Sequence, residues 1–401
     1  MELKQGYKQT EVGMIPIDWD LIMIGECLEF KNGLNKEKEY FGQGTPIVNY
    51  MDVYKYAGIR AKDLTGLVTL SNAEIKNYEV KKGDVFFTRT SETVDEIGVS
   101  TVALDEMVDT VFSGFVLRGR PKNDKIYLEF KKYCFTAAIV RKQIISTASY
   151  TTRALTNGHV LSNVLLPLPT KAEQSAIAIA LSDIDELISQ IEKLIDKKKA
   201  IKQGVMQELL KPKEGWVTKK FTDIVDYIHG KAHEQFIVDN GKFKVVNSKF
   251  ISSNGEVIKY SNNSFLTAKK NDILTVLSDL PNGKALAKCF LVDNDNLYAV
   301  NQRVCIWRSK GADSLFLYYL LNRHKYFLQL DDGVTQTHIL NGDINRFELT
   351  ITEDLETQKE IGIILRDIDI EIVILEKKNN KLKFQKQGMM QALLTGKIRL
   401  L

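Results

Sequence analysis

A chain of 401 residues, 44% apolar and 26% charged, is long enough for two to three domains that each bury a core. That excludes a small disulfide scaffold, and the even spread of Leu, Ile and Val argues against disorder. The formal charge of +4, from 55 basic and 51 acidic residues, permits a polyanionic partner and argues against an acidic mimic of DNA.

No stretch approaches the roughly eighteen apolar residues of a membrane span. The opening Met1-Glu-Leu-Lys-Gln-Gly-Tyr-Lys lacks the apolar segment of a signal peptide, so a soluble cytoplasmic protein with no membrane partner is expected. Cys27, Cys134, Cys289 and Cys305 stand far apart, without a C-x-x-C pair, and read as buried thiols in a reducing compartment.

The chain repeats itself. Gln174–Leu210 aligns without a gap onto Gln358–Leu394, an offset of 358 − 174 = 184, with 19 of 37 positions identical, including Asp183-Ile184-Asp185 with Asp367-Ile368-Asp369. Apolar residues in each copy step alternately by four and three: Ile177, Leu181, Ile184, Ile188, Ile191 and Ile195, then Ile361, Leu365, Ile368, Ile372, Leu375 and Leu382. That spacing predicts a coiled-coil seam on a helix of about 55 Å. Polar residues interrupt the seam at Lys198 and Lys202, and at Asn379 and Lys386, where such groups set register and partner choice. Pairing of the two copies within one chain costs less entropy than pairing between chains, which stays open as the alternative.

Fainter parallels continue outside the helices. Trp19–Gly33 matches Trp216–Gly230, Pro46–Asn49 matches Lys244–Asn247, and Val80-Lys-Lys-Gly-Asp84 matches Ala268-Lys-Lys-Asn-Asp272. Asp84–Thr88, Val111–Leu117 and Ala299–Trp307 read as strands, and Ile126–Lys142 and Ser314–Leu330 as helical. The expected fold class is α+β: two mixed globules separated by two long antiparallel coiled-coil helices in an internal pseudo-twofold repeat. The expected boundaries are 1–155 for the first globule, 156–212 for the first helical region, 213–340 for the second globule and 341–401 for the second helical region, with Lys211-Pro212-Lys213-Glu214-Gly215 ending the first helix.

Catalytic constellations are missing. Gly283-Lys284 and Gly396-Lys397 lack the rest of a phosphate loop, and there is no G-x-S-x-G. His229 and His233 are four apart, but Gly230 lies between them and no third ligand is near, so no metal is expected. Asp293-Asn-Asp-Asn296 lacks the Gly and Glu of a calcium loop. The paired aspartates two apart on a helix point to different faces, and no two prolines are adjacent, as an aromatic adenine clamp with a Pro-Pro pair would require. The residues describe a duplicated binding protein without catalytic groups.

That plan resembles the specificity (S) subunit of type I restriction-modification systems along essentially the whole chain. The resemblance is carried by Gly6-Tyr7-Lys8-Gln9-Thr10-Glu11-Val12-Gly13-Met14-Ile15-Pro16 with Asp18-Trp19, by Gly83-Asp84-Val85-Phe86-Phe87-Thr88-Arg89-Thr90-Ser91, by Pro167-Leu-Pro169 with Glu173-Gln174, by Lys202-Gln203-Gly204-Val205-Met206, and by Gln387–Ile398. It implies that each globule is a target-recognition domain reading one half of a split double-stranded DNA target, while the helices set the gap. It also implies partners: two modification (M) subunits carrying S-adenosylmethionine, and restriction (R) subunits using ATP and Mg, with no cofactor in this chain.

Base edges are read by Arg, Lys, Asn, Gln, Ser and Thr on loops. The expected DNA contacts are Asn49, Thr88, Arg89, Ser91, Tyr150, Thr152 and Arg153 in the first globule, and Asn247, Ser248, Lys249, Thr335, Gln336, Thr337 and His338 in the second. The second globule has Leu277 where the first has Arg89, so the two halves cannot read DNA alike. A coiled-coil scaffold whose globules bind proteins is the rival reading; it would show neither a split site nor a steep salt dependence.

Overall fold

The computed structural model describes residues 5–150, 152–280 and 283–400. The chain falls into two compact units that do not follow chain order: Met1–Glu192 with Lys378–Leu401, and Lys193–Lys377. Each long helix, Lys171–Leu209 and Leu355–Leu393, therefore contributes one half to each unit. Among the described residues no helix is long and apolar enough to cross a membrane.

In the first unit a five-stranded sheet runs in the order Leu28–Asn32, Val116–Pro121, Val85–Thr88, Ser100–Ala103, Gly58–Ile59. The second unit repeats the first four of these strands as Val225–His229, Val304–Ser309, Ile273–Val276, Cys289–Leu291. The matched turns before the third strand have one cause. Asp84 and Asp272 each accept from the backbone N–H three residues earlier at 2.8 Å. Each also takes a forked arginine, Arg120 at 2.9 and 2.8 Å and Arg308 at 2.8 and 2.7 Å. Gly83 and Asn271 precede these aspartates at φ 87° and 70°, the left-handed region that favours Gly and Asn.

Two sequence expectations are corrected here. Val111–Leu117 and Ala299–Trp307 are not single strands, because tight turns at 113–115 and 301–303 break each run into two. The helical stretches are likewise broken, into Lys131–Cys134 with Ala138–Ser146 and Ser314–Leu321 with Lys325–Leu328. The four cysteines are buried and free, and burial pushes the thiols of Cys289 and Cys305 up to about 12.

Within each unit the halves of the long helices run antiparallel. Asp185 pairs with Lys386 at 2.5 Å and Glu192 with Lys383 at 2.7 Å in the first unit; Lys202 pairs with Asp369 at 2.6 Å and Lys199 with Glu376 at 2.7 Å in the second. Three of the four polar seam residues singled out from sequence form interhelical ion pairs, Lys198 reaching Glu371, and the fourth, Asn379, donates to Glu192 at 3.4 Å. Ile177, Leu181, Ile184, Ile188, Ile191, Ile195, Ile361, Leu365 and Ile372 are buried, whereas Ile368, Leu375 and Leu382 are half-buried. The distal end of each helix completes the other helix's globule: Leu393 and Leu394 lie in the core around Trp19 and Ile177, and Val205, Met206 and Leu209 pack on the core around Phe316 and Ile361.

Two repeated groups fasten helix to globule. Gln174 accepts from Tyr127 N–H at 2.7 Å and donates to the Pro169 carbonyl at 2.9 Å; Gln358 accepts from Asp313 N–H and donates to the Thr352 carbonyl, both at 2.7 Å. Asp185 accepts from the Tyr133 hydroxyl at 2.9 Å and Asp369 from the Tyr319 hydroxyl at 2.8 Å. Burial, reinforced by that carboxylate, raises both phenols well above their ordinary value. The first unit adds a clamp without a repeat. Buried Glu173 accepts from Trp19 Nε1 at 2.7 Å and from Arg399, whose guanidinium also forks onto Asp18 at 2.9 and 2.7 Å.

The two aspartates of each Asp-Ile-Asp motif therefore have separable roles. Asp185→Ala and Asp369→Ala each remove the carboxylate that a phenol and a lysine share, although Tyr133 keeps the Ser182 hydroxyl at 3.0 Å, and are expected to cost about 1–3 kcal/mol in urea unfolding. Asp183→Ala and Asp367→Ala, at exposed positions, should stay within about 0.5 kcal/mol. Arg399→Ala leaves Glu173 buried with Trp19 as its remaining partner and is expected to cost about 2–4 kcal/mol. The arginine fork holds the Asp18 carboxyl below its ordinary value. A depressed carboxyl stabilises above its unfolded pKa and loses that contribution as pH falls through the folded one, so the gap between wild type and Arg399→Ala should narrow below about pH 4.

Candidate nucleic-acid interface

The loops expected to read DNA converge in the first globule. Thr90–Ser91, Ser149–Tyr150 and Ala154–Leu155 form a small three-stranded sheet with Ala154 opposite both Ser91 and Tyr150. Its turn carries Thr152 and Arg153, both exposed, while Thr151 lies outside the described residues. Beside this sheet a groove of about 450 Å³ is lined by Tyr50, Met51, Tyr54, Ser91, Phe115 and Arg153, among others. Tyr50 and Tyr54 stack at 6.0 Å and 14°, because the helix Tyr50–Lys55 sets them four apart on one face. The Tyr54 hydroxyl donates to Glu96 at 2.9 Å, which pushes its pKa up.

Several expected contacts are corrected by burial or by existing bonds. Thr88 is fully buried, donating to the Glu96 carbonyl at 2.9 Å and accepting from Val99 N–H at 3.0 Å, so its hydroxyl is unavailable. Ser91 is buried and donates to Glu96 at 3.1 Å. Asn49 stands at the N-cap of its helix with its backbone N–H donating to Asp52 at 2.8 Å, and its half-buried side chain packs on Gly66, where an added Cβ would meet the Asn49 amide nitrogen at 2.1 Å. Arg89 is half-buried, and its guanidinium has no hydrogen-bond or ion-pair partner among the described residues. Its backbone is fixed at both ends, N–H to the Phe115 carbonyl and carbonyl to Thr156 N–H, each at 3.0 Å.

In the second globule Ser278 and Asp279 pair with His338 and Thr337. Much of this cluster is internally bonded. The Thr335 hydroxyl donates to Asp332 at 2.9 Å and Gln336 to Ser278 at 2.9 Å, while buried Thr337 donates to Asp331 at 3.1 Å. His338 is exposed. Asn247 accepts from Phe250 N–H at 2.9 Å as a helix cap. Ser248 and Lys249 line a groove of about 430 Å³ with Lys259, Asn301, Gln302 and Arg303. Glu234, at its edge, accepts from Asn301 at 2.7 Å, a bond that holds its carboxyl below the ordinary value. His233 is fully buried, its ring nitrogens bonded to the Lys231 carbonyl and Phe265 N–H, and His229 bonds Asn341. Among the described residues no group of three His, Cys, Asp or Glu side chains is placed to hold a metal.

Sequence reasoning missed Tyr50, Met51, Tyr54, Phe115, Lys259 and Arg303. The available signal was the repeat itself: matching Asn49 to Asn247 puts the two following helices in equivalent places, and exposed Phe115 follows Ser113-Gly114 where a buried strand was expected.

Two copies of one scaffold, each with a groove beside its loop cluster and each packed on part of both long helices, define an internally duplicated protein of two matched units. The chain belongs to the family described as the type I restriction modification DNA specificity domain, matched at residues 16–203 and again at 213–383, and it is a non-catalytic DNA-recognition subunit. The type I restriction enzyme MjaVIII specificity subunit of Methanocaldococcus jannaschii is 25% identical, over 99% of this chain and 96% of that protein. The putative MjaX specificity subunit of the same organism is 25% identical over 99% and 97%. The crystal structure of a type I restriction-modification S subunit from M. genitalium shares the fold, with a TM-score of 0.61 and 15% identity over 98% of both chains.

Proposed function

We propose that each globule reads one half of a split double-stranded DNA target, that the long helices set the gap between halves, and that the helix pair docks two modification subunits, with restriction subunits joining the assembled complex. S-adenosylmethionine, ATP and Mg then belong to those partners, and the complex works in the cytoplasm, where DNA is its substrate. One observation carries this reading: a scaffold duplicated down to its Asp–Arg forks and Tyr–Asp links, with different side chains on the two recognition faces. The +4 net charge is small for a protein that grips DNA alone, so the modification subunits supply much of the phosphate neutralisation.

Sequencing of adenine methylation in cells carrying this chain with its modification subunit is expected to reveal one motif of two short half-sites around a fixed gap, absent without the chain. Adding seven residues to both helices, after Glu192 and after Lys377, adds about 10 Å of helix. The gap should lengthen by about 3 base pairs while both half-sites stay the same. A methylated motif that lacks a split, or half-sites that change with helix length, would defeat the reading.

Arg89, Tyr150, Thr152 and Arg153 in the first globule, and Ser248, Lys249, Gln336 and His338 in the second, remain the surface groups for this role. Arg89→Ala is expected to relax one base position of the first half-site, at about 1–3 kcal/mol. Lys249→Ala should instead weaken binding evenly across sequences and lower the salt slope by about 1. Quantitative binding of the assembled complex to a library of site variants at several salt concentrations separates the two.

A further inference from the structure

The turns at 113–115 and 301–303 occupy the same place in their globules. Ser113 N–H donates to the Val48 carbonyl at 3.0 Å and Asn301 N–H to the Val246 carbonyl at 3.1 Å. Each turn closes on itself, Val116 N–H to the Ser113 carbonyl at 3.0 Å and Val304 N–H to the Asn301 carbonyl at 2.9 Å. A glycine lies against each, Gly33 and Gly230, where an added Cβ would stand 2.0 Å from the Ser113 and Asn301 carbonyl oxygens. The last residue of each turn accepts from the strand end beside the recognition loop: Phe115 from Arg89 N–H and Arg303 from Leu277 N–H, both at 3.0 Å.

At this one matched position the side chains differ in kind. Phe115 is 58% exposed and forms an aromatic wall with Tyr50 and Tyr54 in a groove that also holds Glu92, Glu96 and Arg153. Arg303 is exposed, lines the groove of Lys249 and Lys259, and its guanidinium has no hydrogen-bond or ion-pair partner among the described residues. Both backbones are fixed by the same bonds, so neither side chain is needed for the turn. A free fork of donors on a rigid turn suits guanine, which offers two acceptors in the major groove. An exposed aromatic surface suits the methyl group of thymine.

We propose that Arg303 is a specificity-determining residue that reads a guanine in the second half-site, and that Phe115, its counterpart, reads a thymine in the first. The proposal rests on the split-target reading above. The full chain is expressed with its modification subunit, and the methylated motif is sequenced for wild type, Arg303→Ala, Arg303→Gln and Phe115→Ala, with thermal unfolding of each variant complex as the control for folding. Arg303→Ala should lower discrimination at one guanine of the second half-site by about tenfold or more, and Arg303→Gln should move that position toward adenine, the base a Gln amide can fork onto. Phe115→Ala should relax one thymine of the first half-site by a few fold and leave the second half-site unchanged. An unchanged motif in folded Arg303 variants overturns the assignment, as does an even loss of methylation at an unaltered motif, which marks a phosphate contact. A wild-type complex that methylates no split motif defeats the underlying reading instead.

Discussion

A single carboxylate per unit joins three parts of the structure. Asp185 takes the Tyr133 hydroxyl from its globule and Lys386 from the opposite helix, and Asp369 takes Tyr319 and Lys202 in the same way. Because the partners lie on different elements, the link fixes the helix register and the seating of the globule at once. A pair of apolar seams alone slides by a heptad at modest cost, whereas a half-buried carboxylate displaced by one heptad loses both partners.

This constraint was partly legible in the sequence. The repeat, its period and the polar interruptions of the seam follow from spacing, and Lys198, Lys202 and Lys386 form their ion pairs because a polar group at a seam position must meet an opposite charge or remain unsatisfied. The aspartates were read only as groups facing different ways on the helix. Their importance depends on tyrosines 52 and 50 residues distant in sequence, and no local pattern announces that pairing. The interleaving of the units was hidden for a related reason: chain order places each helix after its own globule, while the apolar end that completes a core comes from the other helix.

The recognition face was the least legible part. Thr88 and Thr337 look like base readers by residue type, yet both are buried and serve their own loops. Small hydroxyls satisfy nearby backbone readily, so polar loop residues are weak indicators of a ligand. The turn residues Phe115 and Arg303 escaped because apolar runs on both sides made 111–117 and 299–307 look like continuous strands. Three-residue breaks do not disturb a period that short.

What the halves share and what they do not therefore divides by physical role. The Asp–Arg forks, the Gln174 and Gln358 anchors and the Tyr–Asp links are matched to within a few tenths of an ångström. Each has an orientation that the fold cannot change without stranding a buried group. At the grooves no such penalty applies: Arg89, Arg153, Lys249, Lys259 and Arg303 lack carboxylate partners among the described residues, while the scaffold arginines Arg120, Arg308 and Arg399 are all paired. Positions free of internal partners can be exchanged without loss of the fold, and the same freedom leaves their charge available to an external ligand. A modest overall charge is thus compatible with a polyanion partner, because unpaired cations gathered at the grooves act locally whatever the net charge of the whole chain.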